Sequence, residues 1–163
     1  MEEIAAVACV AVGTLYRHYP TKEDLIAAVV DHSLEEVAGW VQSTDRAIAD
    51  GGDAREQLAA LLERIATRGS ENRALRSAAL SLGVAAQLRA DGSPPLPGTP
   101  MSRLLEALDR VLDHAREAGV LRTDASHTDI TVLLRGVMDI QLDACSRERY
   151  VQIILAGLAP AAA

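Results

Sequence analysis

The side chains best suited to chemistry in this sequence stand between Val10 and Lys22. Acids border the stretch at Glu2, Glu3, Glu23 and Asp24, whereas the stretch itself carries Arg17 and Lys22 and no acid. In a chain of net charge -7 whose only lysine is Lys22, attraction to phosphate is therefore focused on one short run. Ala11 and Gly13 are small enough to let a helix approach base edges. Thr14 and Tyr16 can meet thymine methyls or phosphates, and Arg17 and His18 can donate to phosphate. Lys22 follows Tyr19-Pro20-Thr21 and stands in the first turn of a new helix, where an ammonium and free backbone amides face an anion together. These residues make a phosphate-and-groove surface suited to double-stranded DNA.

Other candidates are weaker. His32 with Glu35 or Glu36, and His114 with Glu117, share helix faces and have the composition of a metal site or proton relay. Three- and four-residue spacings are also those of ordinary surface ion pairs, and both sets read as such. No glycine-rich phosphate loop, nucleophile elbow or carboxylate dyad is present, so neither an enzyme nor a metal or cofactor is expected. Cys9 and Cys145 belong to no CxxC pair and read as reduced thiols. No apolar run reaches the ~20 residues of a membrane span, and Met-Glu-Glu has the wrong charge for a signal peptide. No membrane partner is expected, and the expected location is the cytoplasm.

The elements that must position these residues are helical. Of 163 residues, 49% are apolar but only 2% aromatic, with no Phe, leaving Leu, Ala, Val and Ile to fill the core. Apolar residues recur at helical spacing throughout, and no stretch of useful length alternates with period two. Glu2–Ala8 and Val12–His18 form two short helices joined by Cys9-Val10-Ala11, with Ile4, Ala5, Ala8, Val10 and Leu15 packing them together. This is the pattern of a helix-turn-helix. Thr21 and Asp24 form a capping box that opens a long helix with the stripe Ile26, Val30, Leu34, Val37 and Val41. Asp53 caps a helix through Leu58, Leu61, Leu62 and Ile65 that Gly69 is expected to stop. Helix continues over Glu71–Leu82, with a short one expected over Gly83–Ala90 and a proline-rich loop over Asp91–Pro100. Thr99-Pro100 opens a helix that ends at Gly119. Ser126 and Asp129 form a second capping box, and the last helix spans Arg147–Leu158.

The uninterrupted run from Ile4 to Leu25, and VGTLYRHYPTKEDL within it, resembles the signature of TetR-type transcription regulators. The resemblance implies an all-α protein with an N-terminal helix-turn-helix head and a helical-bundle domain for ligand binding and dimerisation. The expected division is residues 1–42 for the head and its connecting helix and 43–163 for the bundle. It implies that Gly13, Thr14, Tyr16 and His18, flanked by Ala11 and Arg17, enter the major groove, that Tyr19 closes the small core, and that Lys22 holds phosphate. The family's first helix would precede Glu2, so the resemblance implies a head that is incomplete in this sequence. A glycine is usual where this chain has Cys9; at positive φ a Cβ costs about 1 kcal/mol.

For the bundle, the resemblance implies a homodimer through the last two helices, with Ile130, Leu133, Leu134, Val137, Tyr150, Val151, Ile154, Leu155 and Leu158 as candidate contacts. It also implies a small-molecule effector cavity, for which Trp40, Leu61, Ile65, Leu108, Met138 and Gln141 are candidate wall residues. Their aliphatic character favours an apolar ligand. The function implied is that of a repressor on a palindromic operator, released by the effector. The rival is a dimeric small-molecule binder that keeps the head without operator binding.

Overall fold

The computed structural model describes residues 1–82 and 96–160. Among them are eight helices and no strand: α1 (Glu2–Val7), α2 (Val12–His18), α3 (Lys22–Ala49), α4 (Ala54–Glu71), α5 (Arg73–Ser81), α6 (Pro100–Glu117), α7 (His127–Asp139) and α8 (Ala144–Gly157). The helix expected over Gly83–Ala90 and the first part of the proline-rich loop lie outside the described residues.

Local chemistry sets most helix starts. The Thr21 hydroxyl accepts from the Asp24 amide at 3.1 Å while the Thr21 amide donates to the Asp24 carboxylate at 3.0 Å, and Ser126 and Asp129 repeat this reciprocal box at the start of α7. Asp53, Thr99 and Asp143 cap α4, α6 and α8 through single side-chain bonds to the amide three residues on. The last helix therefore begins earlier than Arg147, at Ala144, because Asp143 supplies an acceptor for Ser146.

One ending differs from expectation. Gly69 does not stop α4, which continues to Glu71 and yields to α5 only at Asn72. The glycine serves packing instead: a Cβ built there would lie 1.9 Å from the Met138 sulfur of α7. Helix α7 ends at Asp139, where Ile140 turns extended, although no glycine or proline marks the stop.

The main core joins α4, α6, α7 and α8 with the second half of α3, around Val41, Leu58, Leu62, Val111, Leu112, Ile130 and Val151. A second cluster gathers Ile26, Val30 and Leu34 from the first half of α3 with Ala79 of α5, and Met101 and Leu104 of α6 pack against it. Helix α3 thus runs unbroken through both cores. Its first residue is Lys22.

Candidate nucleic-acid interface and cavity

Helices α1 and α2 meet through Ala5, which is buried, and Leu15, which is half-buried. Ile4, Ala8 and Val10, expected inward, are exposed, since two short helices share a single seam and Ala5 occupies it. The turn between them is a Schellman ending: the Val10 amide donates to the Ala5 carbonyl at 3.0 Å and the Cys9 amide to the Ala6 carbonyl at 3.2 Å. Cys9 takes the left-handed position at φ 55°, where a glycine would be unstrained.

This turn leaves Ala11, Gly13, Thr14, Tyr16, Arg17 and His18 exposed on α2, with Lys22 exposed at the start of α3. Tyr19 is half-buried beside the His18 ring, with ring centroids 6.4 Å apart. Small residues, hydroxyls and cations are therefore presented together on the outside of one short helix and the opening of the next. Such a surface can approach a groove and hold phosphate.

Between the two cores lies a cavity of about 190 Å³. Helix α3 supplies Val30, Ser33, Leu34, Val37 and Val41 to its wall, and α6 supplies Met101, Leu104, Leu105 and Leu108. Leu62 and Ile65 of α4, Leu75 of α5, and Ile130, Leu134 and Met138 of α7 complete the apolar lining. Among the described residues, the charged members of the wall are Arg68, Arg76 and Arg135. Arg68 pairs with Glu36 at 2.7 Å, while Arg76 pairs with Asp139 and donates to the Gly69 carbonyl at 3.1 Å.

Residues 53–160 match the family described as "Transcriptional regulator SbtR-like, C-terminal domain", and residues 1–29 match "Bacterial regulatory proteins, tetR family". The chain belongs to the TetR family of transcription regulators. A TetR transcriptional regulator from Streptomyces coelicolor is similar at 27% identity and TM-score 0.65, over 99% of this chain and 87% of that one. A TetR regulator from Mycobacterium vanbaalenii is similar at 26% identity and TM-score 0.64, over 97% and 81%. A structure from Mesorhizobium loti shares the fold at 18% identity and TM-score 0.62, over 98% and 86%. Comparison with curated proteins gives no significant match.

Within this TetR chain, the predicted cavity residues Ile65, Leu108 and Met138 line the cavity together. Leu61, Trp40 and Gln141 do not. Leu61 is 3% exposed and used in the main core, one helical step away from Leu62, which does reach the cavity. Trp40 closes the α3–α4 seam from outside, with the Arg64 guanidinium 4.1 Å above its ring. Gln141 is exposed beyond the end of α7. The α3 wall and the three arginines escape sequence reasoning. The i, i+4 stripe of α3 reads equally as plain core, and the arginines carry no signal beyond their place on otherwise apolar helices.

The predicted dimer set also divides. Ile130, Leu134, Val137, Val151, Leu155 and Leu158 are buried within the chain's own core, and Ile154 is partly buried against them. Leu133 and Tyr150 are exposed, as are Val132, Ile140 and Ile153, which the spacing did not single out. His114 faces Asp45 of α3 at 2.9 Å rather than Glu117. His32 is exposed, and among the described residues no three His, Cys, Asp or Glu side chains gather as metal ligands.

Proposed function

We propose that this TetR regulator is a cytoplasmic, ligand-responsive repressor that binds a palindromic operator as a homodimer and is released by a small, largely apolar molecule. One observation carries the reading: α3 begins with Lys22 and, from Val30 onward, forms a wall of the cavity. Eight helical steps lead from one to the other, about 12 Å along the axis. A ligand that prefers one placement of α3 shifts the population between head positions that fit DNA and positions that do not.

The head spans residues 1–42 in this reading and the bundle 43–163, with α3 shared between them. One recognition helix of 7 residues makes few base contacts, and a two-fold pair doubles them at a fixed half-site spacing. The outward apolar residues of α7 and α8, Val132, Leu133, Tyr150 and Ile153, offer a self-complementary surface for that pair.

The test is an electrophoretic shift with duplex DNA from upstream of the protein's own gene, at low salt and against random competitor. A discrete complex that survives competition is the expected result. Absence of any complex overturns the repressor reading and favours a ligand-binding dimer without operator binding.

A further inference from the structure

The lining of the cavity has an asymmetry of charge. Among the described residues its charged members are Arg68, Arg76 and Arg135, and no described acid joins them in the wall, in a chain with 23 acidic and 16 basic residues. The acids that pair with the first two, Glu36 and Asp139, stand outside the lining. Arg76 is more sheltered than Arg68, its side chain 15% exposed against 36%, while its partner Asp139 is 55% exposed. Its guanidinium is fixed by the Gly69 carbonyl, and the missing Cβ at Gly69 lets Met138 come down beside it, its sulfur 4.0 Å from the guanidinium. One part of the wall is therefore a positioned cation beside a thioether, and most of the remainder is aliphatic, interrupted by Ser33, Arg68, Asn72, Thr131 and Arg135.

We propose that the cavity takes an aliphatic carboxylate, with its chain among Leu34, Leu62, Leu104 and Leu108 and its carboxylate received by Arg76. A guanidinium binds a carboxylate through paired, charge-assisted hydrogen bonds, which are stronger where water is scarce. The incoming head group competes with Asp139, so binding loosens the tie between α5 and the end of α7. Arg73 reinforces that tie at 3.4 Å, from its Nη1 to the Asp139 carbonyl. This inference rests on the reading of the cavity as an effector site and adds the class of effector.

Calorimetric titration of the full chain with decanoate, decanol and decylamine, each below its micelle concentration, tests both. Decanoate is expected to bind at least about ten-fold more tightly than the alcohol or the amine, the scale of one hydrogen bond to a charged group. Arg76→Gln should bring decanoate down to the level of decanol without weakening decanol. Asp139→Asn, which removes the competing carboxylate and leaves Arg76 in place, should tighten decanoate, and it decides the matter if Arg76→Gln fails to fold. Equal binding of decanoate and decanol, or no tightening in Asp139→Asn, overturns the carboxylate assignment while leaving the effector cavity standing. No binding of any of the three overturns the carboxylate assignment and removes the cavity's support as an effector site.

Discussion

Cys9 and Gly119 hold the same position in the same hydrogen-bonded helix ending. After α6, the Val120 amide donates to the Ala115 carbonyl and the Gly119 amide to the Arg116 carbonyl, both at 2.9 Å, with Gly119 at φ 70°. After α1, Val10 and Cys9 make the corresponding bonds to Ala5 and Ala6, with Cys9 at φ 55°. The ending after α3 repeats the pattern with Gly51 at φ 92°. The turn that sets the angle between α1 and α2 is thus the one member of this set built on a residue with a Cβ.

Cys9→Gly is therefore expected to stabilise the head by about 1 kcal/mol, offset in part by the freedom glycine gains in the unfolded chain. Amide hydrogen exchange reads it locally: the Val10 amide should exchange about five-fold more slowly. Faster exchange would mean that the strain at Cys9 is compensated by contacts of its own.

Lys22 and Thr14 should separate affinity from specificity. Lys22→Ala is expected to weaken binding to every DNA sequence alike and to lower the salt slope by about one, since it removes one phosphate contact. Thr14→Ala should alter the ranking among operator variants. Quantitative shift assays at several salt concentrations distinguish the two, and equal effects of both variants on random DNA would contradict the assignment.

The two stripes of α7 and α8 should respond oppositely. Leu155→Ala, at 3% exposure in the core, is expected to cost about 2–5 kcal/mol in denaturant unfolding. Leu133→Asp and Ile153→Asp change residues that are 42% and 54% exposed, and should instead turn a sedimenting dimer into a folded monomer. A dimer that survives both charges would move the interface elsewhere.

Acid should act through the helix caps. Hydrogen bonds from Ser126, through its hydroxyl and its amide, hold the Asp129 carboxyl below the usual aspartate range, and the Ser146 amide does the same for Asp143. Both groups have a folded pKa below their unfolded one, so the unfolded chain binds more protons as pH falls. The stability they add is complete above the ordinary aspartate pKa of about 3.9 and is lost as pH drops through the lower folded values. An unfolding series over that range should show a shallower acid limb in Asp129→Asn than in the parent chain.

Gly69→Ala should force Met138 aside, at a cost of about 1–3 kcal/mol. Met138→Ala in the same chain should recover part of that loss, a non-additivity measurable by a double-mutant cycle in thermal unfolding.

The legible parts of this fold are those whose chemistry is local. Thr21 with Asp24 and Ser126 with Asp129 announce their helices because donor and acceptor lie three residues apart, and Gly119 announces an ending because only its own φ is at issue. The run of the head from Ala11 to His18, exposed apart from Leu15, is contiguous in sequence and so is visible as a candidate surface there, whereas Ile4, Ala8 and Val10, expected inward, are exposed as well. The bundle was harder. Val132, Leu133 and Leu134 are all apolar, and only the tertiary fold decides that Leu134 turns inward and its two neighbours outward. Gly69 looks like a helix stop until Met138, far away in sequence, is seen to need the space. The Arg76–Asp139 tie spans α5 and α7 and has no trace in spacing.

A sequence with one lysine, exposed at the first residue of α3, offers acylating reagents a single ε-amine. Footprinting of lysines, which ordinarily yields a blurred map of many modified sites, collapses here to one position, acylated in the free protein and withheld wherever duplex DNA covers Lys22. Operator engagement can then be followed by mass spectrometry of the peptide that carries Lys22, on unlabelled, unmutated protein.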